Sequence, residues 1–74
     1  MDKNKLWYFS FGVDHPFGSF LLPIRGTFNA AREVMAEIFG YHWCDQYDDV
    51  EGLHLIEQYH YRLLPEISAD WRDA

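Results

Sequence analysis

The chain has 74 residues, 19% of them aromatic, with one cysteine and a formal net charge of −6. That length makes one small domain whose core must lean on large side chains, and a lone Cys44 excludes an internal disulfide and any multi-cysteine zinc module. No apolar run approaches the roughly 20 residues that span a bilayer, and the acidic balance argues against duplex nucleic acid, whose phosphates call for a basic patch.

The N-terminal MDKNKLWYFSF places lysines before an apolar stretch, but Ser10, Gly12 and Asp14 interrupt it and no small-residue cleavage site follows. It reads as a strand of a soluble, cytoplasmic protein rather than a signal peptide. Leu6 to Val13 alternates, with Trp7, Phe9, Phe11 and Val13 on one face and Leu6, Tyr8 and Ser10 on the other. Asp14 to Gly18 is turn chemistry around Pro16. Ser19 to Ile24 gives a second strand and an antiparallel hairpin, in which Pro23 implies an edge or a bulge because it has no N–H to donate.

Thr27 then caps a helix whose apolar stripe is Phe28, Ala31, Val34, Met35 and Ile38, and Gly40 ends it. Tyr41 to Tyr47 predicts a third strand, with Tyr41, Trp43, Asp45 and Tyr47 on one side and His42, Cys44 and Gln46 on the other. Asp48 and Asp49 begin a short helix through Tyr59, their charge suiting its positive end, with Val50, Leu53, Ile56 and Tyr59 at rough helical spacing. Arg62 to Ile67 predicts a last strand that Pro65 keeps at an edge. The order β-β-α-β-α-β predicts a single α+β domain over residues 1–67, a mainly antiparallel sheet with helices packed on it, and a polar tail over 68–74 that includes Trp71.

Little in the chain points to catalysis. His42 and Cys44 lie two apart, but the paired, repeated ligand spacings of a zinc site are absent, so no metal or cofactor is expected. A Cys44 thiolate would sit among Asp45, Asp48 and Asp49, which oppose its ionisation. The glycines are dispersed singly and form no phosphate cradle. A non-enzymatic role is the expectation.

Two features point to binding. Acidic residues gather at Asp45, Asp48, Asp49 and Glu51, a patch that draws a basic protein surface. The aromatics Trp7, Tyr8, Tyr41, Trp43, Tyr47, Tyr59, Tyr61 and Trp71 exceed what one small core can enclose. Trp43, Asp45, Tyr47, Asp48, Asp49 and Glu51 are therefore the candidate partner-binding residues, with Trp43 and Tyr47 as anchors. The alternatives are single-stranded nucleic acid stacked on aromatic sheet residues, or a small self-associating protein that pairs through a strand edge, which leaves a homodimer open.

The opening Trp7-Tyr8-Phe9-Ser10-Phe11-Gly12, His15-Pro16, Ala31-Arg32 with Met35, and Phe39-Gly40 with Trp43 and Tyr47 together resemble small phage- and prophage-encoded accessory proteins. The resemblance spans nearly the whole chain, up to about Leu64. It implies a protein acting in the host bacterial cell as an inhibitor or modulator of a host complex. A CRISPR effector or another nucleic-acid-handling defence machine is the implied target, occluded at its basic groove.

Overall fold

The computed structural model describes residues 5–12 and 14–69; the expectations for Val13 and Trp71 fall outside them. The described chain is an α+β fold of two helices on one mixed sheet, with β1 (Leu6–Ser10), β2 (Phe20–Arg25), α1 (Phe28–Phe39), β3 (Gln46–Tyr47), α2 (Asp49–Tyr59), β4 (Arg62–Leu63) and β5 (Ile67–Ser68). β1 and β2 form the expected antiparallel hairpin, with Trp7 opposite Ile24 and Phe9 opposite Leu22. β3 adds antiparallel to the other side of β1, Tyr8 facing Tyr47. β4 and β5 both run parallel to β2 along its free edge.

Alternation along β1 and β2 sends side chains to two different helices. Phe9, Phe11, Leu22 and Ile24 pack with Ala30, Ala31, Val34 and Met35 of α1 into the main core. Tyr8, Leu21 and Pro23 point the other way and are also buried. α2 covers that side, and Gly52 lies so close to the Tyr8 ring that an added Cβ would sit 2.4 Å from Cδ1. The sheet is thus the middle of three layers, with α1 on one face and α2 on the other.

α1 starts as expected, the Thr27 hydroxyl accepting the Ala30 N–H at 3.1 Å. It ends where Gly40 adopts φ 61°, ψ −117°, a conformation open essentially to glycine alone. Its buried face keeps Ala31, Val34 and Met35 of the expected stripe and departs from it at the ends. Phe28 and Ile38 are exposed, and Phe39 reaches the core instead, its ring 5.0 Å from that of Phe11. Burying Val34 and Met35 contributes about 1.5–3 kcal/mol each.

The irregular segments depart from expectation to different degrees. Pro23, read as an edge or a bulge, lies in an inner strand at a bulge. The bonds from Arg62, Leu64 and Ala69 to the carbonyls of Ser19, Leu21 and Arg25 show which residues of β2 face β4 and β5. By that alternation the Pro23 nitrogen points at the gap between those two segments. There, three residues (64–66) stand opposite two (22–23), so the missing donor meets a bulge. The predicted last strand is accordingly broken in two around Pro65.

The predicted strand over 41–47 shrinks to Gln46–Tyr47. Residues 41–45 leave the helix in a turn, and the Trp43 indole N–H bends back to the Gly40 carbonyl at 3.1 Å. Only the backbone bonds of Cys44 and Asp45 to Ser10 continue the ladder. Finally, residues 68 and 69, read as the start of a tail, belong to the fold: Ser68 is in β5 and Ala69 is fully buried. Gly26 makes room for it, since a Cβ there would approach that of Ala69 to 3.1 Å.

Candidate functional site

Five of the six candidate residues come together where β3 meets α2; Trp43 does not join them. Its indole packs edge-on against Phe9 at 5.2 Å, on the α1 side of the sheet, with the Arg32 guanidinium 5.0 Å from the ring. Arg32 also lies 5.4 Å from the Phe28 ring and donates to Gln46 Oε1 at 3.1 Å. Trp43 thus helps latch α1 to the sheet edge. Tyr47 faces the opposite layer, beside Tyr8 and α2.

At the junction, the Tyr47 hydroxyl donates to Asp45 Oδ2 at 3.4 Å. Burial is the main influence on the Tyr47 phenol and raises its pKa above 10.0; a bond to Ser10 opposes this and the Asp45 carboxylate reinforces it. Tyr8 is raised as well, chiefly by burial and then by Asp49 and Glu66. Both hydroxyls stay protonated into the alkaline range, and that of Tyr47 acts as a neutral donor.

Three of the carboxylates accept backbone N–H groups. Asp48 is the N-cap of α2, accepting the Glu51 N–H at 2.8 Å, and Glu51 Oε1 accepts the Asp48 N–H in return at 3.4 Å. This capping box defines the helix start. Asp49 Oδ1 accepts the Val50 N–H at 2.9 Å and is otherwise exposed.

The outward face of α2 carries most of the apolar positions read at helical spacing. Val50 is 73% exposed and Leu53 52%, while Tyr59 and Leu63 of the adjoining β4 are also exposed. The helix instead turns Gly52, Leu55 and Ile56 toward the sheet. The signal was Gly52, whose lack of a Cβ permits the close approach to Tyr8 and so sets the helix rotation. Carboxylates flank the exposed apolar positions at Asp49, Glu51 and Glu57, all exposed. From Glu33 to Tyr61 the sequence has seven Asp/Glu and no Lys or Arg, so no cation on this stretch neutralises the face. Beside it, Tyr47, Val50, Glu51, His54 and Leu55 line a groove of about 320 Å³.

A larger open groove of about 660 Å³ gathers Asp14, His15, Tyr41, His42 and Cys44. His15 stacks on Phe11 at 4.7 Å, and its Nδ1 accepts the Phe17 N–H, which places the proton of the neutral ring on Nε2. Cys44 is exposed, yet among the described residues no three His, Cys, Asp or Glu side chains are placed to hold a metal. Among the same residues no helix is long and apolar enough to cross a membrane. Phe9 and Phe11 lie beneath α1 and Tyr8 beneath α2, so β1 offers no open aromatic platform for bases. Compared with protein families, with curated proteins and with solved structures, the chain matches none.

Proposed function

We propose that this protein is a non-enzymatic inhibitor or modulator of the phage accessory type. It works in the bacterial cytoplasm by laying the outer face of α2 on a basic surface of a host protein complex. The observation that carries this reading is the exposure of Val50 and Leu53 among Asp49, Glu51 and Glu57, on a stretch without Lys or Arg. Apolar groups ringed by one sign of charge suit a protein partner of the opposite sign: the charge steers encounter and the apolar area holds the complex. A CRISPR effector or similar defence machine, with a basic groove for nucleic acid, has the required surface. Pairing of this face with its own copy would set like charges together.

Affinity capture from nuclease-treated bacterial lysate tests the reading, comparing wild type with Asp49→Lys/Glu57→Lys. Asp48 is left intact because its reversal would remove the α2 cap. The expected result is a stoichiometric protein partner held by the wild type, released by salt and lost in a variant whose circular dichroism is unchanged. Equal capture by both forms, or an empty wild-type lane, would overturn it.

A further inference from the structure

The α2 face carries a concave feature as well as a charged one. Tyr47 closes one end of the 320 Å³ groove and Val50 and Leu55 supply apolar wall, with His54 and Glu51 completing the lining. Tyr47 is fixed from behind by its place opposite Tyr8 in the sheet and by its bond to Asp45. Val50 and Leu55 are fixed by the helix, which the capping box starts and Gly52 docks on Tyr8. The walls are therefore set before any partner arrives, which lowers the ordering cost of binding. The groove has room for one large side chain and part of its neighbour, not for a helix. Glu51 is the carboxylate in its lining and uses one oxygen on the Asp48 N–H, which leaves acceptor capacity; exposed Asp45 bonds the Tyr47 hydroxyl and exposed Asp49 precedes Val50 in the chain.

We infer that this groove seats one apolar side chain, leucine-like in size, from a partner segment in which Lys or Arg flank it. The inference rests on the proposed function and narrows the partner's chemistry. Charge complementarity selects the occupant: an apolar residue between acidic neighbours would meet Asp45, Asp49 and Glu51 with like charge, and a second copy of this acidic chain would do the same. The larger groove by Cys44 sets Trp43, Tyr41 and Pro16 beside two histidines, a thiol and Asp14, and no residue of α2 lines it.

The test is a titration of the isotope-labelled full chain, followed by amide chemical shifts, with three short synthetic peptides. One is an amphipathic leucine–lysine sequence, one has lysine at every charged position and serine for leucine, and one is leucine–glutamate. The expected result is binding of the leucine–lysine peptide about tenfold or more tighter than the lysine–serine peptide. Its shifts should centre on Tyr47, Val50, Glu51, His54 and Leu55, and the exposed-site change Val50→Asp should remove the preference. Equal affinity for the two lysine peptides would overturn the groove while leaving the acidic surface intact. No binding of either would remove both readings. Preference for the leucine–glutamate peptide, shifts centred on another surface, or the same shifts on raising protein concentration alone would each overturn the chosen occupant.

Discussion

Gly52 occupies a helix interior, where alanine is normally preferred by about 1 kcal/mol. Here the nearest atoms to an added Cβ are Cδ1, Cγ and Cβ of Tyr8, at 2.4, 2.6 and 3.1 Å. These belong to the root of the ring and not to a flexible tip, so the Tyr8 side chain cannot simply swing aside. Overpacking of this kind costs about 1–3 kcal/mol, which exceeds the propensity gain. Gly52→Ala is therefore expected to lower stability by about 1 kcal/mol in urea unfolding, the overpacking cost less the propensity gain. A neutral or stabilising result would mean that α2 does not rest on Tyr8 as described. The same residue explains why the outward face of α2 was hidden in the sequence. Val50, Leu53, Ile56 and Tyr59 share a helical spacing, but of these only Ile56 turns toward the sheet, because the helix presents Gly52 there, where the backbone can come close.

At the level of elements, the two helices are stabilised differently. α1 has a buried stripe and was legible from residue spacing alone; tertiary packing altered only its ends, exchanging Ile38 for Phe39. α2 fully buries only Gly52 and depends more on its cap. Its signature, Asp48-Asp49-Val50-Glu51, is a capping box readable in sequence, although the charge pattern first suggested a binding patch. Asp48→Ala should cost about 1 kcal/mol of stability, because it orphans the Glu51 N–H, and Asp49→Ala should cost less than half as much. Urea midpoints of the two variants, at equal slope, check this. Equal losses would deny Asp48 its special role.

The irregular elements were less legible for physical reasons. Tyr41 to Tyr47 alternates like a strand, but Trp43 finds better burial against Phe9 by folding back on Gly40. The parallel direction of β4 and β5 is a property of how α2 crosses the sheet, which no residue pattern in Arg62 to Ser68 encodes. Asp48 and Glu51 stand where β3 meets α2, as the reciprocal caps of that helix. Trp43 is separated from it because the short turn at 41–45 places the chain on the α1 side before β3 begins.

Across the whole molecule the three layers are unequal. The α1 layer buries Ala30, Ala31, Val34 and Met35 against Phe9, Phe11, Leu22 and Ile24. The α2 layer has Leu55 and Ile56 half-buried and its large outward side chains in water. Segments with few buried apolar contacts open at lower free energy than the global transition. Native-state hydrogen exchange should therefore show α2 amides exchanging before those of α1, β1 and β2, at denaturant concentrations well below the global midpoint. The sheet face left behind, with Tyr8 and Leu21, is apolar enough to draw α2 back, so the opening is transient. A partner that binds the outer face of α2 in its folded form raises the protection of this layer first, because binding to the closed state shifts only the openings that break it. Lysine–leucine peptide at saturation should then slow exchange in α2 and leave α1 amides that exchange only by opening within their own layer unchanged. Slowing in α1 alone would place the binding surface on the other side of the sheet. If α2 and α1 instead exchange together without ligand, the molecule opens as one unit and the two layers are equally secured.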